Sequence, residues 1–439
     1  MKRLVIALAA LLALSLPLAA QRLDAAVDLG LSGSSTDTSD FTVYGKLSPS
    51  FSLPIGTSAE FAGSGFVMGA YSTAYANDPS SPDGTAPLTY GLDELRLETA
   101  SKAPQAGIDA LVFDLGRFRF QDPSGYILSS PADGLAFAIK YPNLDLDLRS
   151  GYTGLLFEDD STIFMSLADE ANDGILGSPR LLAQAQIGVP DLLGESFTLT
   201  VLSQSDLNPS SSFIAEGSTV RDPSKGGSLN TQYFELESSG SISTVIYQAF
   251  FVYGTGTTLS WIATSNTNGS YQYEPISSFL AGANASLPLP ALPIAGSTLG
   301  FELLYASGDP DASLPLEGNT SSLSTAFTPV STTTLGEVFS PYLSNLIVGK
   351  ADFGAKPSLF GLNFDGEFDL FTFFRPTLAP IYATGVKLVP VSSYLGTEAD
   401  LRLSCGIMSD IELSCTIGVF IPQGESIQGS GSLVASVKI

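Results

Sequence analysis

The 439-residue chain has no histidine, two cysteines and one tryptophan. Without histidine the commonest general base is gone. So are the Ser-His-Asp and Cys-His arrangements and most zinc sites. Two cysteines do not make a disulfide framework. Charged residues are scarce at 14%, against ~25% in typical soluble domains. Bases are scarcer still: 19 Lys and Arg face 44 Asp and Glu, a net charge of −25. So acidic a chain is excluded from ordinary nucleic-acid binding, which rests on neutralising phosphates with bases. Long apolar runs are also missing. Beyond residue 20 nothing approaches the ~18–20 residues of a transmembrane helix. The 43 glycines and 27 prolines disfavour long helices.

Residues 1–20 read as a secretory signal peptide. Lys2 and Arg3 form its charged region, Leu4 to Leu16 its apolar core, and Leu18-Ala19-Ala20 its cleavage site. The apolar core is too short for a membrane anchor. Removing the segment takes away two bases and no acid, so the charge moves from −25 to −27. The mature part is then 21–439.

What fills the mature part is period-two patterning. In L-D-L-D-L-R-S-G-Y, Leu144, Leu146 and Leu148 fall on one side of an extended strand, and Asp145, Asp147 and Arg149 on the other. Similar segments recur at Leu23–Leu31, Phe41–Phe51, Ala59–Tyr71, Leu92–Thr99, Gly107–Phe120, Leu135–Tyr141 and Leu144–Tyr152. They continue at Leu181–Val189, Phe197–Ser203, Leu229–Ser238, Thr244–Tyr253, Phe279–Leu287, Thr298–Tyr305 and Asn345–Phe353. The last are Phe360–Phe374, Leu395–Cys405, Ile411–Phe420 and Leu433–Ile439. That is about eighteen strands, most near the ~9–11 residues of a tilted membrane strand.

The connections alternate between long and short. Loops such as 72–89, 121–134, 153–179, 204–228 and 306–344 are long, while 54–58, 142–143, 239–243 and 406–410 are short. The segments 32–40, 254–278 and 421–432 also read as long connections. Alternation places the short turns at one end of a sheet and the long loops at the other. That pattern predicts an all-β fold: a single antiparallel up-and-down transmembrane β-barrel of about 18 strands. Short turns and both termini then lie on the periplasmic side of a bacterial outer membrane. A propeller or solenoid would show a repeat period, and none is present.

Three segments carry a resemblance. F-E-L-L-Y-A-S-G-D-P-D at Phe301–Asp311 is similar to the strand-and-loop element of the alginate-export family of outer-membrane porins. L-G-T-E-A-D-L at Leu395–Leu401, with I-G-V-F-I-P at Ile417–Pro422, resembles that family's closing hairpin. L-G-R-F-R-F-Q-D-P-S-G at Leu115–Gly125 resembles a segment after its fifth strand. The resemblance implies an 18-stranded barrel. That family's lumen is basic and suits a polyuronate, whereas acids dominate here, so the resemblance implies the architecture and not the substrate. Ile439 also departs from the terminal aromatic usual in barrel-insertion signals.

In a barrel of this kind the leucines of Leu144–Tyr152 face lipid and the charges face water. A charge on the lipid face costs ~2–4 kcal/mol near mid-bilayer, which fixes the phase of each strand. By that phase the expected pore-lining residues are Lys46, Glu94, Arg96, Glu98, Asp145, Asp147, Arg149, Glu302, Lys350, Asp365, Glu367, Asp369, Asp400 and Arg402. With Asp24, Asp28, Glu60, Glu235, Glu237, Asp352, Glu398 and Glu412, inward acids outnumber inward bases, which include Lys140 and Lys438, by roughly seventeen to seven. Acidic linings attract cations. Asp365, Glu367 and Asp369 are the first acids to neutralise.

The function expected is therefore a porin-like passive channel for small polar solutes or ions, weakly cation-selective, with membrane lipid as partner and no cofactor or catalysis. The alternatives are a saccharide-specific barrel, which calls for lumenal aromatics that the phase mostly lacks; a surface adhesin or structural barrel whose long loops do the work; and a secreted soluble all-β protein.

Other motifs read as structure. Asp145 and Asp147 form an acid–base pair no more than any two lumenal carboxylates do. Asp309 and Asp311 offer oxygen ligands for calcium, but S-G-D-P-D is first a turn. Asp352-Phe353-Gly354 lacks every companion of the kinase motif it spells. Phe118-Arg119-Phe120 reads as an interfacial aromatic girdle. Cys405 and Cys415 flank a short turn centred on Asp410; they are read as two free thiols, with a cross-strand disulfide as the alternative.

Overall fold

The computed structural model describes residues 22–35, 39–75, 83–85, 88–103, 107–157, 161–171, 175–265, 268–314, 317–359, 361–381 and 392–439. The signal segment and Phe360 lie outside the described residues. The first half of the wall runs β1 (Arg22–Ser35), β2 (Ser39–Ile55), β3 (Ala59–Tyr75), β4 (Leu88–Ala103), β5 (Ile108–Gln121), β6 (Ser129–Tyr141), β7 (Leu144–Tyr152), β8 (Arg180–Leu192) and β9 (Glu195–Asp206). The second half runs β10 (Leu229–Ile242), β11 (Val245–Ala263), β12 (Gly269–Pro288), β13 (Thr298–Ala306), β14 (Leu346–Ala355), β15 (Leu362–Phe374), β16 (Tyr394–Gly406), β17 (Ile411–Pro422) and β18 (Gln428–Lys438). Two stubs, Asp83–Thr85 and Ser358–Leu359, pair with β3 and β15 outside this series.

Each strand pairs antiparallel with its neighbours in sequence, and β1 pairs with β18 from Ala26↔Lys438 to Ser35↔Gly429. The result is a closed 18-stranded antiparallel barrel. Closure leaves no unpaired edge. The hairpin from β8 to β9 turns through the left-handed region at Leu193 (φ 62°) and Gly194 (φ 89°), of which the glycine adopts it freely. Within β5, Gly116 sits at φ 121°, and a Cβ there would lie 2.1 Å from the Leu95 carbonyl of β4.

The two faces of the strands differ in exposure. Leu148 is 54% exposed, while Asp147 and Arg149 on the opposite side are partly covered. Leu29, Leu47, Leu115, Leu135, Leu199, Leu236, Phe251, Phe301, Phe368, Leu401 and Leu433 continue an exposed apolar exterior. A soluble monomer rarely leaves so large a contiguous apolar surface uncovered.

Several strands are longer than their apolar alternation. Three connections that read as long are mostly strand: β1 and β2 reach Ser35 and Ser39, β11 and β12 reach Ala263 and Gly269, and β17 and β18 reach Pro422 and Gln428. Ladder hydrogen bonds need no apolar side chains, so pairing continues past the region where alternation is imposed. The connection 121–134 shortens to 122–128, while 153–179, 207–228 and 307–345 remain long.

The core of the molecule lies inside the wall. One apolar cluster joins inward side chains from Phe120 on β5 round to Phe420 on β17 with Ile127, Ile163, Phe327, Val330 and Phe339 from three loops.

Candidate functional site: the lumen

The charged side chains of the inner face fall into three groups and a few single residues. On β4, Arg96 bridges Glu94 at 2.9 Å and Glu98 at 3.1 Å, and lies 3.7 Å from Asp114 of β5. On β7, Arg149 pairs with Asp147 at 2.8 Å, and Asp145 has no ion pair among the described residues. The third group spans β14 to β16. Asp369 receives Lys350 at 3.0 Å and Arg402 at 2.5 Å, and Glu367 lies 3.7 Å from both bases. Asp365 pairs with Lys356 at 2.7 Å. Lys46 stands over the Phe66 ring at 4.3 Å. Glu302 accepts from the Tyr126 hydroxyl. The three acids singled out for neutralisation are thus all paired with bases.

Three connections turn into this space. The first is 122–128. Asp122 accepts from the N–H groups of Gly125, Ile127 and Leu128 and tightens the loop. Burial pushes the Asp122 carboxyl up despite those bonds. From this loop the Ser124 N–H donates to Glu235 of β10 at 3.0 Å, and Tyr126 stacks on Phe250 of β11 and reaches Glu302 of β13. The loop starts at β5, so reaching the opposite wall takes it across the interior.

The second connection, 153–179, carries a four-residue helix, α1 (Leu167–Glu170), capped by Ser166. Fully buried Arg180 of β8 holds it through Asp169, and also binds Asp206 at 2.6 Å. The third, 307–345, meets the other two. The Ile127 carbonyl accepts from Val330 N–H at 2.8 Å and Ser331 N–H at 3.0 Å, and Phe164 N–H donates to Val330.

The third loop is fastened to the wall by its tip, Gly336–Phe339. Glu398 of β16 accepts from the N–H groups of Val338 (2.6 Å) and Phe339 (2.8 Å), and Asp400 accepts from that of Glu337 (3.1 Å). Glu337 pairs with Arg402 at 2.8 Å. The Phe339 ring stacks on Phe420 at 4.5 Å and meets Phe373 edge-on at 4.9 Å.

Two expectations are corrected here. Phe118 and Phe120 are not a girdle at the membrane interface: they stack at 4.8 Å, buried inside the barrel. Even positions of β5 point inward, and the apolar loop residues there offer them a dry surface. Lumenal aromatics are also not few, since Phe250, Phe371, Phe373 and Phe420 face in. Their signal was in the sequence. Ala249–Tyr253 carries apolar residues at five consecutive positions, and Leu370–Phe374 does so but for Thr372, the mark of a strand covered on both faces.

The interior is therefore divided. One side is apolar and filled by the loops. Round β18, β1, β2, β3, β4 and β7 the inner face carries hydroxyls and charges. Among the described residues no group of three or more His, Cys, Asp or Glu is placed to hold a metal ion. Cys405 and Cys415 are free thiols, each two positions out of cross-strand register: Cys405 faces Leu413, and Cys415 faces Leu403.

No protein-family model matches the chain, and no curated protein matches it significantly. Solved structures do match its fold. OccK7 (OpdD) of Pseudomonas aeruginosa is 10% identical with a TM-score of 0.54, covering 95% of this chain and 99% of its own. OccK5 (OpdH) of the same organism is 9% identical with a TM-score of 0.52, covering 96% and 98%. The outer membrane protein OpdK, also of Pseudomonas aeruginosa, is 8% identical with a TM-score of 0.51, covering 95% and 98%. At these identities the likeness is one of fold.

Proposed function

We propose that this chain is a porin-like channel of a bacterial outer membrane, passing small polar solutes and favouring cations. The observation that carries the reading is the two-sided wall: an exposed apolar exterior closed on itself around a charged, hydroxyl-rich inner face. Its fold is shared with OpdK, an outer membrane protein. The signal segment 1–20 directs export, and the short turns and both termini face the periplasm. Small polar solutes pass along the polar side of the lumen. The pore-lining set is the one expected from phase, with Glu337 added by the loop.

Cation preference rests on the surplus of acids. Asp40, Asp145 and Asp352 make no ion pair among the described residues, and the net charge is −25. Paired acids contribute little to the field. The preference is strongest at low salt, where the Debye length is ~30 Å at 0.01 M, and fades near 1 M, where it is ~3 Å.

Planar-bilayer conductance of the refolded protein, with the reversal potential across a KCl gradient, tests both parts. A cation-selective sign that weakens with salt is expected. Replacing Asp365, Glu367 and Asp369 with Asn and Gln uncovers Lys350, Lys356 and Arg402, and shifts the potential toward anions. An anion-selective wild type, or no shift in the triple variant, contradicts the reading. The apolar loop packing favours one rival, a plugged barrel whose surface loops do the work. Absence of conductance would establish that rival.

A further inference from the structure

A cavity of about 240 Å³ lies inside the barrel where β1 and β18 close the wall. That is the space of roughly eight waters at ~30 Å³ each. Ser34 of β1, Thr42 of β2, Thr416 of β17 and Ser430 of β18 are among the hydroxyls that line it, all at inward positions. Asp40 of β2 and Glu337 of the loop tip add carboxylates, and the loop tip itself forms one side. Ser430 Oγ donates to the Glu337 carbonyl at 3.2 Å and helps hold that side in place.

The hydrogen-bond accounting around the cavity is one-sided. Glu337 has its charge met by Arg402 at 2.8 Å. Asp40 has no base within ion-pair distance among the described residues, and its Oδ1 is buried without a protein partner. Two more buried acceptors lie near the cavity on β16 and β18, outside its lining. Asp400, 1% exposed, holds the Glu337 N–H with one oxygen and leaves Oδ1 unpartnered. Gln428, 4% exposed, lies two residues from Ser430 on the same face of β18, with Oε1 unpartnered. Buried polar atoms of this kind normally have partners. Of these three acceptors Asp40 is the one that lines the cavity, and it is an acid with no base in reach among the described residues. The complementary ligand is a donor carrying one positive charge. Among the described residues no aromatic ring lines the cavity, so recognition is by hydrogen bonds rather than stacking.

We propose that this cavity is a binding subsite for a small hydroxylated ammonium solute. Its –NH3+ group lies against Asp40 and its hydroxyls meet the serine and threonine side chains. The inference rests on the channel reading for how the solute arrives, and it names the solute class.

The test is calorimetric titration of the full-length protein in detergent at low salt and pH 6, with glucosamine, glucose and glucuronate as matched probes. Saturable binding of protonated glucosamine is expected, with glucose and the Asp40→Asn variant each weaker by about tenfold or more, and no binding of glucuronate. Thr42→Val, which keeps the side-chain volume, is expected to weaken binding several-fold. It also serves as the test if Asp40→Asn fails to show heat-dependent gel migration. Equal binding of glucose and glucosamine overturns the proposal. So does an Asp40→Asn variant that binds like wild type, or ammonium ion binding as tightly as glucosamine. Bilayer recordings run in parallel separate the two readings. Conductance without glucosamine binding sinks the subsite alone. Binding without conductance supports the subsite and sinks the channel.

Discussion

Replacing Phe339 with Ala is the sharpest perturbation of the inturned loop. The ring is fully buried, stacked on Phe420 at 4.5 Å and edge-on to Phe373 at 4.9 Å. Truncating a buried Phe costs ~3–5 kcal/mol. Because the wall is independently closed by β1–β18 pairing, that loss falls on docking of the loop rather than on the barrel. At 1.4 kcal/mol per tenfold, the docked-to-undocked ratio drops by roughly two to three and a half powers of ten. The neighbouring Glu337–Arg402 pair is about a third exposed on both sides (30% and 34%). Pairs so open to solvent contribute ~0–1 kcal/mol, so Glu337→Ala leaves the loop docked. Two readouts follow the loop: single-channel conductance, and chymotrypsin cleavage within 307–345 in detergent. Phe339→Ala is expected to be cleaved faster and to conduct more, with unchanged heat-dependent gel migration. Glu337→Ala is expected to resemble wild type in cleavage. If Glu337→Ala loosens the loop as much as Phe339→Ala, packing is not what holds it, and the reasoning is wrong.

Other outcomes are open to direct check. The protein is expected in the outer-membrane fraction, migrating differently on a denaturing gel before and after boiling; recovery as soluble periplasmic protein without a shift refutes the location. Denatured, unreduced protein is expected to show two reactive thiols per chain, because Cys405 and Cys415 are out of register; finding none would reveal a disulfide. In the loop 307–345, burial and a hydrogen bond that the protonated Asp309 carboxyl donates to Asp311 push Asp309 up to about 6, from an ordinary 3.8. The folded loop therefore binds this proton more tightly than the unfolded chain. That contribution is full below about pH 4 and is lost as pH rises through about 6. Amide exchange around Asp309, corrected for intrinsic rates, is expected to be slower at pH 5 than at pH 7, and Asp309→Asn flattens the difference. Faster exchange at pH 5 in the wild type contradicts the sign.

The sequence by itself determined the wall. Alternation in segments such as Leu144–Tyr152 sets which side chains meet lipid and which meet water, and it does so locally, because a strand repeats every two residues. The strand number and the antiparallel order follow from the same pattern and its turns. Even the covered inner face was legible in runs such as Leu370–Phe374, where alternation stops. Only the tertiary structure decided what lies inside. That Ser124 meets Glu235, that Val330 meets Ile127, or that Glu337 lands on Arg402 involves residues 65 to 203 positions apart, at least one of each pair in a loop without periodicity. Phase says that Asp369 points inward, and it leaves Asp40 in a connection. It cannot say that Asp369 meets Lys350 and Arg402 while Asp40 meets no base among the described residues. Facing inward is a property of one strand. Being paired depends on which neighbours closure brings within reach, and on where the loops come to rest.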